Sequence, residues 1–126
     1  MSTINSILIV EDSQEWMDIY KRDFKRKFNA EIIGAENMEG ALEYLTERNF
    51  DLCVTDGDYP LKPHSLVENG AWRILYKKLK ETNNNPRVLL ISGNEDYEKE
   101  AEALDITFIS KANYDINEIV RKLEAR

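Results

Sequence analysis

The chain has 126 residues, of which 42% are hydrophobic and 33% charged, and a formal net charge of -7. These values are typical of one folded domain, and they exclude a disordered chain. The acidic balance argues against nucleic acid or an anionic membrane as the main partner. The lone cysteine, Cys53, has no second thiol for an internal disulfide.

The first apolar run, residues 7–10, is followed at once by Glu11 and Asp12. It is too short for the apolar region of a signal peptide and far too short to cross a bilayer. We therefore expect a cytoplasmic protein with a single domain over residues 1–126 and no output domain.

Five short apolar runs, rich in branched side chains, recur along the chain. They lie at 7–10, 31–34, 51–54, 88–91 and 107–109. Such runs are typical of strands buried on both faces, as in a parallel sheet.

A segment of helical length follows each run, with apolar residues three or four positions apart. These segments are Gln14–Phe28, 37–49, 70–81, 94–105, where the pattern is weaker, and 115–126. The alternation predicts an α/β fold, doubly wound, with five helices on both faces of a five-stranded parallel sheet. One long irregular stretch, 57–69, contains two prolines, and a loop of that length is often functional.

Polar side chains follow four of the five predicted strands. In strand order they are Glu11 and Asp12, Asp56 and Asp58, Ser92, and Lys111. Because the carboxyl ends of parallel strands share one edge of the sheet, where ligands bind, we expect these side chains to converge.

Four converging carboxylates repel one another, by about 4 kcal/mol for a pair about 4 Å apart at an effective dielectric of 20. A divalent cation offsets this repulsion, and oxygen ligands suit Mg²⁺. A metal, a lysine and a hydroxyl together can neutralise phosphoryl oxygens. One aspartate can then act as the nucleophile and form an aspartyl phosphate.

This ordered set resembles the receiver domain of two-component response regulators over essentially the whole chain. Glu11-Asp12 resembles the acidic metal-binding pair of the family, and residues 51–56 resemble its third strand, which ends in the phosphoacceptor aspartate. The remaining matches are Pro60, four residues after Asp56, the pair Ser92-Gly93, Lys111 after the fifth strand, and Phe108 three residues before it.

The resemblance implies a flavodoxin-like sheet with strand order 2-1-3-4-5, and it implies a role for each matched residue. Asp56 would accept a phosphoryl group from a histidine kinase or a histidine phosphotransfer protein. Mg²⁺ would bind Asp12, Asp56 and the backbone carbonyl of Asp58, with Glu11 acting mainly through water. Ser92 and Lys111 would contact the phosphoryl oxygens, and Ser92 and Phe108 would form the switch. Such a receiver is a signalling phosphoacceptor rather than an enzyme.

The resemblance also implies two docking faces, and the acidic balance predicts no direct contact to nucleic acid or membrane. The kinase or phosphotransfer protein would meet the first helix, where residues 21–28 have a net charge of +4. A downstream protein would meet the face of the fourth helix, fifth strand and fifth helix. Residues 94–105 have a net charge of -5, and they could pair with Arg121, Lys122 and Arg126 in a symmetric homodimer.

Three features depart from the family pattern. The loop 61–69 is about six residues longer than usual and has no assigned role. The usual Lys-Pro pair is Lys111-Ala112, and because a non-proline cis bond costs about 3 kcal/mol, we expect a trans bond and a displaced Lys111 loop. The acidic side chain of Asp58 is expected where hydrolytic water could approach the phosphoryl group.

Two other functions stay open. A degenerate receiver would bind partners without phosphorylation, which the Lys111-Ala112 pair and the long loop allow. A small phosphohydrolase of the haloacid dehalogenase type also uses an Asp-x-Asp motif, matched by residues 56–58. In that family, however, the motif follows the first strand, whereas here it follows the third.

Overall fold

The computed structural model describes residues 4–82 and 85–125. Within them the strands, β1 to β7, are Ser6–Val10, Glu31–Ala35, Leu52–Thr55, Tyr59–Pro60, Val67–Glu68, Arg87–Ser92 and Thr107–Ser110. Five of these strands form one parallel sheet in the order β2-β1-β3-β6-β7. This order is the predicted order 2-1-3-4-5, which confirms the doubly wound, flavodoxin-like fold.

The helices lie on both faces of the sheet. In chain order, α1 to α5 are Gln14–Phe28, Met38–Glu47, Ala71–Glu81, Glu98–Ala103 and Ile116–Glu124, and two 3₁₀ turns are Glu95–Tyr97 and Lys111–Asn113. None of the helices within the described ranges has both the length and the apolarity needed to span a membrane.

The alternation of side chains along β1 explains the two cores. Ile7 and Ile9 pack into the cluster with α1 and α5, whereas Leu8 and Val10 pack into the cluster with α2 and α3. All four side chains are fully buried, because successive residues of a strand point to opposite faces and helices cover both. A third cluster joins α3 and α4 to β6 and β7.

The predicted helix over 94–105 is wrong in extent. The chain forms a 3₁₀ turn first, in which the Asn94 side chain accepts a hydrogen bond from the Asp96 N–H, and only then the six residues of α4. Asp105 has a φ of 62°, which ends the helix. Of the α4 side chains only Ala101 is buried, so the weak periodicity reflects a weak apolar face.

The stretch 57–69, expected to be irregular, contains a short antiparallel hairpin of β4 and β5. Tyr59 is fully buried in the cluster with α2 and α3, and the Glu39 N–H donates to the Leu61 carbonyl across to α2. The hairpin is therefore anchored at its base, while Leu66 near its tip is 91% exposed.

Candidate functional site

The sheet register brings two acidic segments together at its carboxyl edge. Val10 and Thr55 are paired neighbours on β1 and β3, and the next backbone contact is Asp56 N–H to the Val10 carbonyl at 2.9 Å. Glu11 and Asp56 therefore leave adjacent strands at the same level. At the far side, Ser92 and Ser110 are paired on β6 and β7, which places Lys111 at the same edge.

Three carboxylates meet at this edge. Glu11, Asp12 and Asp56 each offer an oxygen within 4.8 Å of the others. The Glu11 side chain is 1% exposed and the Asp56 side chain 11% exposed, whereas Asp12 faces solvent. The cluster thus has a buried floor and an open side through which a ligand can enter.

The Lys111 ammonium lies inside this cluster. Its Nζ is 2.8 Å from Glu11 Oε1 and 3.5 Å from Asp56 Oδ1, and Glu11 Oε2 accepts a hydrogen bond from the Ser13 N–H at 3.0 Å. No described peptide bond is cis, as expected for Lys111-Ala112. The expected displacement of Lys111 is wrong, because the trans chain still delivers the ammonium to the carboxylates.

The surroundings of Asp56 disfavour its negative charge. Burial, followed by the repulsion of Glu11, raises the pKa of Asp56 to about 7, although Lys111 and the Gly57 N–H oppose this rise. The Gly57 N–H donates to Asp56 Oδ1 at 2.7 Å. One lysine therefore does not balance the carboxylates, and the pocket favours a further cation.

Ser92 lies against the residue that follows Asp56. Its side chain is buried, and its Oγ accepts a hydrogen bond from the Asn94 N–H at 3.0 Å. A Cβ at Gly57 would lie 2.7 Å from this Oγ and 2.7 Å from the Tyr97 ring, so only glycine allows this close approach. An accepting hydroxyl keeps its own hydrogen for donation.

Phe108 is 7% exposed and packs in the third cluster with Leu90, Ile106 and Tyr97. This is the packing of a core aromatic. Its role as a switch stays a prediction.

One carboxylate oxygen of Asp58 is engaged within the protein, and the expected effect of this side chain on hydrolytic water stays a prediction. Its Oδ1 accepts hydrogen bonds from the Tyr97 hydroxyl at 2.6 Å and from the Gly70 N–H at 2.7 Å. The reason is local, because Gly70 has a φ of 75° at the start of α3 and aims its N–H at the carboxylate. Asp58 therefore ties its own loop to α3 and to the segment before α4.

Sequence reasoning missed the bond from Tyr97 to Asp58 and the contact of Arg73 with the Tyr97 ring. The Arg73 guanidinium lies 5.0 Å from the Tyr97 ring centroid and binds both Glu100 carboxylate oxygens, at 2.9 and 2.8 Å from Nε. In the sequence, the only indication of these contacts is an aromatic residue, Tyr97, at the start of an acidic helix.

Asp58→Ala is expected to lower the free energy of unfolding by about 2 kcal/mol, because two hydrogen bonds to a half-buried carboxylate are lost and two donors are left unpaired. Asp58→Asn, which keeps the accepting oxygen, should cost less than half as much. Urea unfolding followed by circular dichroism measures both. If Asp58→Ala changes the free energy of unfolding by less than about 0.5 kcal/mol, the hydrogen bonds of Asp58 do not stabilise the fold.

The fold and the edge cluster together define a class: flavodoxin-like α/β domains with an acidic pocket at the carboxyl edge of the sheet. A family model described as the response regulator receiver domain matches residues 7–124. The chain belongs to this family, whose members are signalling domains of two-component systems rather than conventional enzymes.

Solved structures show the same fold. A CheY-like receiver domain from Methylobacillus flagellatus has a TM-score of 0.78 and 21% identity, with 98% of each chain covered. TrrA from Thermotoga maritima, in complex with Mg(2+)-BeF, has a TM-score of 0.77 and 20% identity, with 97% of this chain and 98% of that chain covered. The chemotaxis response regulator CheY4 of Vibrio cholerae has a TM-score of 0.76 and 15% identity, with 98% of each chain covered. A comparison with curated protein sequences gives no match.

Proposed function

We propose that this receiver domain signals by phosphorylation of Asp56, with the phosphoryl group supplied by a histidine kinase or a histidine phosphotransfer protein. The observation that carries the proposal is the convergence of Glu11, Asp12 and Lys111 on the Asp56 carboxylate. A half-open acidic pocket with a lysine inside it suits transfer of a phosphoryl group better than any other reaction of these side chains.

The donor set fits Mg²⁺. Ligand oxygens lie about 2.1 Å from this ion, and the oxygens of Glu11, Asp12 and Asp56 lie within 4.8 Å of one another, which is close enough for one small cation to interact with all three carboxylates. Asp12, Asp56 and the backbone carbonyl of Asp58 would bind the ion directly. Glu11 would act through water, because its two oxygens already contact Lys111 and the Ser13 N–H. The ion, when bound, neutralises charge on the phosphoryl group.

The transfer itself uses the residues of the chain in defined roles. An Asp56 oxygen attacks phosphorus, the phosphorus–nitrogen bond of the donor phosphohistidine breaks, and the imidazole nitrogen leaves with the electron pair. The Lys111 ammonium and the Ser92 hydroxyl stabilise the charge on the phosphoryl oxygens. Ser92 would move toward the new phosphoryl group and Phe108 would follow, which changes the face of α4, β7 and α5.

The two docking faces remain part of the proposal. The kinase or phosphotransfer protein would dock on α1, and a downstream protein on the face of α4, β7 and α5. Of the three basic residues expected to pair two copies of the chain, Arg121 pairs with Glu118 within α5, and Arg126 lies outside the described residues. The ion pair of Arg121 engages one of the basic side chains on which the homodimer rests, whereas Lys122 is exposed and stays available to the acidic side chains of α4.

The test is direct phosphorylation. The protein is incubated with Mg²⁺ and a small acyl phosphate, and its intact mass is measured with and without a chelator. The proposal expects a gain of one phosphoryl group that the chelator prevents. No gain would favour the degenerate receiver, and rapid turnover of many equivalents would favour the phosphohydrolase. The binding of the Asp58 carboxylate by Tyr97 and Gly70 counts against the phosphohydrolase, which needs that side chain free.

A further inference from the structure

We propose that Trp16 is a positioning residue for Lys111: its ring face holds the ammonium at the phosphoryl site when the ion pairs of Lys111 weaken. This inference rests on the proposed function of Asp56 as the phosphoacceptor. It adds a residue on α1 that the family pattern of acidic pair, acceptor, hydroxyl and lysine does not include.

The indole lies beside Lys111 in a fixed position. The Lys111 Nζ is 5.1 Å from the centroid of the Trp16 ring, within the range of a cation–π interaction. Trp16 belongs to the first turn of α1, where its backbone N–H donates to the capping Ser13 Oγ at 3.3 Å. The ring also contacts Tyr114 edge-on, with centroids 5.7 Å apart, and Tyr20, with centroids 5.5 Å apart.

The other end of the Lys111 segment is fastened to the same helix. The Tyr114 hydroxyl donates to Asp23 Oδ2 at 2.9 Å. The Asp23 side chain is 6% exposed and is 3.0 Å from the Arg22 Nε and 3.6 Å from an Arg26 guanidinium nitrogen. Residues 111–114 are therefore held against α1 at both ends, by Trp16 at Lys111 and by Trp16 and Asp23 at Tyr114.

Lys111 needs such a neutral contact because its other contacts are conditional. The ammonium binds Glu11 and Asp56, and the Asp56 carboxylate loses much of its attraction for Lys111 once a cation binds it. The lysine side chain, with four rotatable bonds, is then left with one ion pair, to Glu11. The ring face carries no net charge, so its hold on the ammonium survives the arrival of a cation.

A double-mutant cycle tests the inference. The variants are Trp16→Met, which keeps an apolar side chain without a ring face, Trp16→Tyr, which keeps a ring, and Lys111→Met, alone and combined with Trp16→Met. At saturating Mg²⁺ and acyl phosphate, Trp16→Met should lower the maximum phosphorylation rate about three- to tenfold, and Trp16→Tyr should recover most of it. In the Lys111→Met background, Trp16→Met should have no further effect.

A second measurement needs neither metal nor phosphoryl donor. Protons above an indole face are shifted upfield, so the Lys111 ε-methylene resonances should lie upfield in the wild type and return to ordinary values in Trp16→Met. Trp72→Phe is the matched control, because Trp72 is fully buried in the third cluster, away from Lys111. Its loss should leave the Lys111 resonances in place.

Losses that add in the double variant, or Lys111 resonances that are unshifted in the wild type, would overturn the role of Trp16. Failure of the proposed function looks different. The wild type would then take up no phosphoryl group at all, and the resonances of Lys111 would still decide whether Trp16 holds the ammonium. Thermal unfolding of each variant confirms that it is folded. If Trp16→Met does not fold, the Lys111 resonances of the wild type still decide the question, because they need no variant.

Discussion

Asp56→Asn is expected to take up no phosphoryl group from an acyl phosphate in the presence of Mg²⁺. An amide is a poor nucleophile, and the change also removes one of the three carboxylates of the acidic cluster. The side chain keeps its size, and Glu11 still binds Lys111 at 2.8 Å, so the fold should persist. Intact-mass spectrometry of the wild type and the variant measures the outcome.

The matched control for this variant is Asp51→Asn. Asp51 lies just before β3, at the opposite edge of the sheet from Asp56, where its carboxylate accepts hydrogen bonds from the Asn5 and Ser6 N–H groups. Asp51→Asn should gain one phosphoryl group as the wild type does. A phosphoryl gain in Asp56→Asn would place the acceptor elsewhere, and a loss in both variants would point to damage of the fold.

Asp56→Asn should be more stable than the wild type at neutral pH without metal. Burial and Glu11 raise the pKa of Asp56 to about 7, so the folded state resists ionisation that the unfolded chain undergoes near pH 4. Ionisation of Asp56 therefore lowers the free energy of unfolding of the wild type by roughly 2–4 kcal/mol as the pH rises from about 4 to about 7. Asp56→Asn lacks this loss, and the free energies of unfolding of the two proteins should converge at low pH. Urea unfolding across this range checks the sign.

Much of the site could be predicted because parallel strands have fixed geometry. Once 7–10, 51–54 and 107–109 were recognised as buried parallel strands, their carboxyl ends had to share one edge. That rule brings Glu11, Asp56 and Lys111 together, and the structure places all three within ion-pair distance. The expected doubly wound order followed from the same alternation of strands and helices.

The parts that sequence reasoning missed depend on contacts between segments far apart in the chain. Asp58 could have faced the phosphoryl group, and its direction is set by Tyr97, 39 residues later, and by the Gly70 N–H. Lys111, which has no proline after it, contacts the ring of Trp16, and the nearby Tyr114 bonds to Asp23, 91 residues earlier. No periodicity or spacing encodes such side-chain contacts, so a rule about residue 112 alone predicted the wrong displacement.

Lys111→Met is expected to separate metal binding from phosphoryl transfer. Without the ammonium, phosphorylation of Asp56 should slow by about 100-fold or more, because a donor aimed at the developing phosphoryl charge is lost. Mg²⁺ should bind about tenfold more tightly, since a positive charge 2.8 Å from Glu11 and 3.5 Å from Asp56 is removed. Calorimetric titration with Mg²⁺ and phosphorylation rates by intact mass measure the two effects.

Lys122→Met is the control for this change, because Lys122 is exposed on α5 and the same charge is removed away from the carboxylates. It should leave both Mg²⁺ affinity and the phosphorylation rate within about twofold of the wild type, since exposed charges are strongly screened. If Mg²⁺ affinity rises and the phosphorylation rate falls in Lys111→Met but not in Lys122→Met, the Lys111 ammonium competes with the metal for the carboxylates and also assists the transfer. If both quantities fall together in Lys111→Met, the lysine only supports the shape of the pocket, and its catalytic role is wrong.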